Sequence, residues 1–307
     1  MITPLTIACI GEPMIEFARS SVGSLSYDRR YGGDTLNTAV YLARLLGPEK
    51  ARVGYVTRLG DDPFSDWMIK GFESETIDCS LIARVKDRRP GLYIIDTDAA
   101  GERSFSYWRS EAPARQLFED DDLVEMLRAA DAIYTSGITL AILSERGRER
   151  LIGLMQELKA QGRVAAFDTN YRARLWPSAQ LAAAWMSRAI AASSHVMPSN
   201  DDLDRIFGAQ SPAVSVDKLR ALGAQEIVVK TGGGPVHTSE GRIDLDRDEA
   251  PRDTTGAGDS FNAAYLAARF TGHSMAESVT RAHRLASRVI RYPGAVIARE
   301  AMADLMP

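Results

Sequence analysis

Short, unbroken apolar runs recur along this chain: Leu5 to Ile10, Arg52 to Val56, Ala132 to Thr135, Val164 to Phe167 and Glu226 to Lys230. A strand with one face in water alternates apolar and polar residues. These runs do not, so both of their faces must be covered. Between them lie segments with apolar residues at helical spacing, such as Leu36, Ala39, Val40 and Ala43 after Gly33, and Leu151, Leu154 and Leu158 before Gly162. Strands alternating with helices predict an α/β fold, a mostly parallel sheet with helices on both faces. At 307 residues and 45% hydrophobic content, the chain can bury one large core or two modest ones.

Two regions break this rhythm, Glu12 to Arg30 and Arg89 to Arg109. The second carries strand-like pieces, Leu92 to Asp96 and Ser104 to Tyr107, separated by the turn residues Asp98 and Gly101. With no helix between them, such pieces are expected to form hairpins in a small antiparallel flap beside the main sheet. No linker or internal repeat appears, so the expectation is one domain over residues 1–307 with a lid from about 12–30 and 89–109.

Bulk properties exclude several classes. The net charge of -4 is mild and dispersed, which disfavours nucleic acid or anionic membrane as partners. Cys9 and Cys79 stand far apart and outside any CxxC pair, against a disulfide framework or a zinc site. Met1 to Ile10 lacks a basic region before its short apolar run, and no stretch reaches the length of a membrane span. The expectation is a soluble, cytoplasmic protein.

The sharpest chemical signal is the run Asp253, Thr254, Thr255, Gly256, Ala257, Gly258, Asp259, followed by a helix-like stretch with Phe261, Ala264, Tyr265 and Ala268 on one face. Small residues at a helix start let unpaired backbone amides approach a ligand, and the helix dipole favours an anion there. Phosphate suits such a turn. The dipole also favours an ionised Asp259, which could take a proton from a hydroxyl. The plainer alternative is that Asp259 only caps the helix.

The Asp253 to Asp259 run resembles the DTxGAGD signature of the ribokinase-type carbohydrate kinases, the PfkB family. Gly32, Gly33, Asp34, Thr35, Leu36, Asn37 resembles that family's N-terminal glycine pair followed by an asparagine on a helix. The runs GGDTLNTAVYLAR from Gly32, PGLYIIDTD from Pro90, GERSFSYWRSEA from Gly101 and DTNYRARLW from Asp168 are similar to members acting on keto-deoxy sugar acids. The resemblance covers essentially the whole chain. It implies a ribokinase-like three-layer Rossmann-type sheet with a small β lid. It also implies Mg-ATP as donor and transfer to the 6-hydroxyl of 2-keto-3-deoxygluconate, in an Entner-Doudoroff type breakdown of sugar acids.

Carried over by position, Asp259 is the general base, and the amides of Gly256, Ala257 and Gly258 hold the charge on the transferring phosphoryl group. Gly32 and Gly33 approach the sugar, with Asp34 and Asn37 meeting its hydroxyls; the alternative is a plain helix start with Asp34 as cap and Asn37 exposed. Tyr93, Tyr107 and Arg109 on the lid suit a ligand carboxylate, which a guanidinium pairs bidentately. The alternative there is a cross-strand aromatic pair and a solvated arginine. Arg172 is assigned to substrate or phosphate and Asn170 to the nucleotide side, although Asp168 and Asn170 could simply make the turn after a strand.

Lys230, Thr231 and Gly233 are expected beside adenine and ribose, and His283 where relatives carry an asparagine near the base. Where relatives have an NxxE run ordering magnesium water, this chain has Ser199, Asn200, Asp201, Asp202, with Ser199 a candidate phosphate contact and Asp202 a stand-in for the glutamate. The resemblance adds a monovalent cation, potassium, near Asp253, Thr255 and Gly294. Exposed lid strands offer an edge that a second copy could cover as a homodimer.

Competing classes fare less well. A dinucleotide-binding dehydrogenase needs GxGxxG after its first strand, where Gly11, Glu12, Pro13 stand, and a P-loop enzyme needs a Gly-Lys pair that occurs nowhere. Within kinases the alternative is a fructokinase or another sugar kinase of the same fold. Outside enzymes it is a sugar sensor without turnover, against which the intact glycine turn and Asp259 argue.

Overall fold

The computed structural model describes residues 3–21, 23–98, 103–120, 122–246 and 251–306, so the expected turn residue Gly101 lies outside the described residues. Strand β1 (Leu5–Ile10) opens the main sheet, and β2 (Met14–Arg19) and β3 (Tyr27–Gly32) leave it as a hairpin. Helix α1 (Asp34–Leu46), β4 (Ala51–Gly60), α2 (Pro63–Ser74) and β5 (Ile82–Val85) return to it, and β6 (Gly91–Thr97) and β7 (Arg103–Trp108) form a second hairpin. Then follow α3 (Asp122–Leu127), β8 (Ala132–Ser136), α4 (Gly137–Ile142), α5 (Glu145–Ala160), β9 (Val164–Asp168), α6 (Ala179–Ala192) and β10 (His195–Val196). The chain closes through α7 (Asn200–Phe207), α8 (Pro212–Ala221), β11 (Glu226–Val229), β12 (Val236–Thr238), β13 (Gly241–Ile243), α9 (Ala257–Phe270) and α10 (Met275–Val289).

The main sheet has nine strands in the order β13-β12-β11-β10-β9-β8-β1-β4-β5. From β5 to β11 every pairing is parallel; β12 and β13 add antiparallel strands at one edge. Successive side chains of a strand point to opposite faces, and the core divides accordingly. Ile7 and Cys9 of β1 join Val53, Tyr55, Ala132 and Tyr134 under α1, α9 and α10, while Ala8 and Ile10 join Val56, Ile133, Ala165 and Phe167 under α5 and α6. Two apolar layers sandwiching one sheet account for the unbroken hydrophobic runs of the sequence.

The lid corrects one expectation. Its four strands run β3-β2-β6-β7, and the central pair β2 and β6 is parallel, with Met14 opposite Gly91 and Ala18 opposite Ile95. The lid is therefore two antiparallel hairpins joined side by side rather than an all-antiparallel flap. The required crossover exists because α1, β4, α2 and β5 carry the chain through the main layer between β3 and β6.

Helix starts divide into two kinds. Asp62 caps α2, with Pro63 as its first residue, and Ser136, Ser144, Ser178, Ser199, Ser211 and Ser274 cap α4, α5, α6, α7, α8 and α10 by accepting from backbone N–H groups. Each such cap contributes about 1 kcal/mol. Helices α1 and α9 instead begin after Gly33 and Gly256, with no side-chain cap. At α9 the Ala257 amide donates to Thr254 O at 3.2 Å, so it is the remaining amides of these two starts that no side chain caps.

Candidate active site

The carboxyl ends of β1, β8, β9, β10 and β11 share one edge of the sheet because the strands are parallel, and the strand order reverses between β1 and β8. Open α/β sheets bind ligands in the crevice outside such a reversal. The loops after β1, β9 and β11, beginning at Gly11, Thr169 and Lys230, emerge on this edge.

Helices α1 and α9 pack together, and their starts meet at Asp259. Asn37 Nδ2 donates to Asp259 Oδ2 at 2.8 Å, and Asn170 Nδ2 donates to Asp34 Oδ2 at 2.8 Å. Neither aspartate caps its helix, and Asn37 is buried, which removes the plain helix-start readings. Asp259 remains part-exposed at the cleft, yet its carboxyl is pushed up to about 8: burial dominates, and the charges of Asp34 and Asp168 add to it against the Asn37 hydrogen bond and Lys230. A carboxylate poised near neutral pH and facing a crevice is equipped to exchange protons.

The turn before Asp259 is fixed by backbone. Gly256 adopts φ +75°, and a Cβ there would stand 2.5 Å from Ala295 O and 2.6 Å from Ala295 Cα. Glycine is needed at this position. Asp253, itself buried, accepts from Thr255 N and Oγ1 through Oδ1 and from Gly294 N through Oδ2, stapling the turn to the neighbouring loop. Tyr41 of α1 grips the same loop, donating to Ala295 O at 2.9 Å and accepting from Ile297 N at 3.1 Å. Asp253, Thr255 and Gly294 thus come together, with both oxygens of the Asp253 carboxylate engaged in holding the turn.

Lys230 differs from the adenine-side role that the resemblance implies. Its amine turns inward, donating to Asn262 Oδ1 at 2.8 Å and Asp168 Oδ2 at 3.1 Å, and lies 3.7 Å from where a Cβ of Gly258 would be. Asn262 also donates to Asp168 Oδ2 at 2.7 Å and Tyr134 OH at 3.0 Å. This buried network places a cation at the glycine turn. Asn262, one helical turn beyond Asp259, and Tyr134 were not foreseen; an asparagine inside an otherwise small and apolar helix face was the available signal.

The lid closes the other side. Tyr93 OH donates to Glu16 Oε2 at 2.5 Å and lies 3.0 Å from the position of a Gly32 Cβ, and burial with the Glu16 carboxylate raises its pKa. The rings of Tyr93 and Tyr107 are 5.7 Å apart, with Tyr107 exposed. Arg109 follows β7 and donates from Nη2 to the buried carboxylate of Glu12, a partner not foreseen. Gly33 is pressed against the same segment, since a Cβ there would stand 2.5 Å from Glu12 O.

Other expected residues are spread more widely. Arg172 is exposed beside the crevice loop and donates to Tyr171 O. Ser199 caps α7, accepting from Asp202 N, and Asp202 Oδ2 accepts from Tyr171 N and Thr169 Oγ1. Burial, then Asp168, raises the Asp202 carboxyl. Thr231 Oγ1 donates to Pro235 O, shaping the loop in which Gly233 has φ +90°. His283 lies on α10, where Nε2 meets Asp246 O at 2.6 Å. Among the described residues no group of three or more His, Cys, Asp or Glu side chains is arranged to hold a metal ion. No helix of the described residues is long and apolar enough to cross a membrane.

The sequence profile of the family described as "pfkB family carbohydrate kinase" matches residues 5–302. The chain is 42% identical over 306 residues to a 2-dehydro-3-deoxygluconokinase of Escherichia coli (strain K12), covering 96% of this chain and 98% of that protein. Among solved structures, a PfkB protein from Polaromonas sp. JS666 superposes with a TM-score of 0.85 at 24% identity, covering 98% of this chain and 99% of that one. A fructokinase with bound ATP from Xylella fastidiosa superposes with a TM-score of 0.81 at 23% identity, covering 98% and 97%. These likenesses extend over both the main sheet and the lid.

Proposed function

This chain belongs to the pfkB family of carbohydrate kinases, and from that premise we propose that it moves the terminal phosphoryl group of ATP onto the 6-hydroxyl of 2-dehydro-3-deoxygluconate, also written 2-keto-3-deoxygluconate. Full-length likeness to the relative named for that activity supports the substrate. The observation that carries the chemistry is Asp259, raised to about 8 where two uncapped helix starts converge.

The sugar lies over Gly32 and Gly33, its hydroxyls meeting Asp34 and Asn37. Ionised Asp259 accepts the proton of the 6-hydroxyl as that oxygen bonds to the γ-phosphorus and the bond to the ADP oxygen breaks. Asn37 aims the carboxylate. The amides of Gly256, Ala257 and Gly258, with the Lys230 amine beside them, hold the charge on the moving phosphoryl group, a stabilisation requiring no rearrangement at the moment of transfer. Thr231 and Gly233 border the nucleoside, and Arg172 lies where it can reach an anion in the crevice. Arg109, with Tyr93 and Tyr107, receives the sugar's carboxylate.

Magnesium fits as an ion carried on the nucleotide's phosphates, since a triphosphate supplies most of the oxygen ligands that a small hard cation needs. It would neutralise phosphate charge there. Asp168, paired with Lys230, and Asp202, which accepts from Tyr171 N, are the carboxylates that would face the ion from the β9 side.

A coupled assay of ADP release over 2-dehydro-3-deoxygluconate, its galactonate epimer, fructose, ribose and gluconate tests the proposal, with phosphorus NMR locating the new ester. The expected result is the highest kcat/KM for 2-dehydro-3-deoxygluconate and phosphate on C6. A higher kcat/KM for fructose, or no ADP release with any of the five, would refute it.

A further inference from the structure

Glu12 stands two residues beyond the end of β1, its side chain 1% exposed, and pairs with an Arg109 side chain that is 13% exposed. The pair bridges the loop after β1 and the residue just after the β6–β7 hairpin of the lid, 97 positions apart in sequence. Only one side of it is satisfied. Among the described residues Glu12 Oε1 and Arg109 Nε have no hydrogen-bond partner, and burial outweighs the guanidinium in setting the Glu12 carboxyl above its usual range. Buried ion pairs of this kind contribute little to net stability, because desolvating both groups offsets their attraction. What such a pair does supply is orientation.

The surroundings hold Glu12 in one place. Its backbone oxygen lies against Gly33, and a Cβ on Gly91 would stand 2.8 Å from Glu12 Oε1 and 3.2 Å from Arg109 Cβ. Glycines of the sugar-side turn and of the lid thus enclose the pair from two directions. A long arginine side chain carries much rotamer freedom, and an anchor on one edge of its guanidinium leaves the opposite edge directed elsewhere.

We infer that Glu12 is a positioning residue for substrate recognition: it fixes the guanidinium of Arg109 at the mouth of the sugar crevice, presenting the arginine's remaining N–H groups to the carboxylate of the sugar acid. The inference rests on the proposed role of Arg109, and the experiment separates the two. Glu12→Gln keeps the volume and removes the charge. Steady-state kinetics of Glu12→Gln, Arg109→Ala and the double variant are measured with 2-dehydro-3-deoxygluconate, alongside inhibition by the aldehyde analogue lacking the carboxylate.

Glu12→Gln is expected to raise KM for the acid about tenfold, with kcat falling by much less, the KM for ATP unchanged and the inhibition constant of the aldehyde unchanged. The double variant should be no worse than Arg109→Ala alone. An unchanged KM in Glu12→Gln, with Arg109→Ala raising it, overturns the positioning role and leaves the carboxylate role standing. An Arg109→Ala variant that binds acid and aldehyde as the parent does overturns the carboxylate role itself. Should Glu12→Gln not fold, Gly91→Ala presses a methyl onto Glu12 Oε1 with every charge retained, and must raise the acid KM selectively.

Discussion

Two alanine substitutions two residues apart should have opposite effects on stability and the same effect on catalysis. At Gly256 the left-handed backbone costs a non-glycine residue about 1–2 kcal/mol, and the new Cβ would sit 2.5 Å from Ala295 O and 2.6 Å from Ala295 Cα, backbone atoms with no flexible side chain to yield. Together these give a loss of about 3 kcal/mol, or roughly 5 °C in Tm for a chain of this size. At Gly258 the nearest atom to a new Cβ is Lys230 Nζ at 3.7 Å, an ordinary contact. There alanine should stabilise α9 by about 0.5–1 kcal/mol through reduced backbone freedom in the unfolded chain. Yet its methyl lies where a phosphate must approach the turn and the Lys230 amine. Thermal melts with ATP and sugar kinetics should show Gly256→Ala melting lower, Gly258→Ala melting at or above the parent, and both losing at least tenfold in kcat/KM for ATP. A stable Gly258→Ala enzyme with parental ATP kinetics would place the phosphates elsewhere and refute the reasoning.

Asp259→Asn should lower kcat about a hundredfold to ten-thousandfold, and near-parental turnover would remove the base role. Because this carboxyl is raised from 3.8 to about 8, the folded protein binds the proton more tightly than the unfolded chain does, so the group costs stability progressively as pH climbs through that window. The stability of the Asn variant relative to the parent should therefore rise between pH 5 and pH 8.5, by about 1–2 kcal/mol after allowing for screening in an open cleft; a constant difference would contradict this. For the parent, kcat/KM should rise with pH up to about 8 and then level, since only the ionised form accepts the proton. Asn262→Ala leaves Lys230 and Asp168 short of a buried partner, and should cost about 2–3 kcal/mol in denaturant unfolding together with a lower kcat; a loss confined to stability would deny Lys230 its place at the turn.

What the sequence displayed were the features that local pattern controls. Apolar runs such as Val164 to Phe167 announced buried strands because both faces of that sheet are covered, and the Gly256 turn announced itself because only glycine fits against Ala295. The glycine pair and Asn37 stood out by resemblance, but the bond from Asn37 to Asp259 spans 222 positions. The inward turn of Lys230 was hidden for the same reason: Asp168 and Asn262 lie 62 and 32 positions away, and no local spacing encodes that meeting. Glu12 was legible only as the start of a lid segment, because its partner Arg109 lies 97 positions away. The parallel pairing in the lid was obscured by the length of chain between its two strands.

That pairing makes the lid mechanically one object. Hydrogen bonds between β2 and β6 zip the hairpin ending at Gly32 to the hairpin ending beside Arg109. On the proposed substrate reading, a pull on Arg109 by a bound anion would be carried across these strands to Gly32 and Gly33, so both ends of the ligand would be sensed by a single stiff plate rather than by two independent fingers.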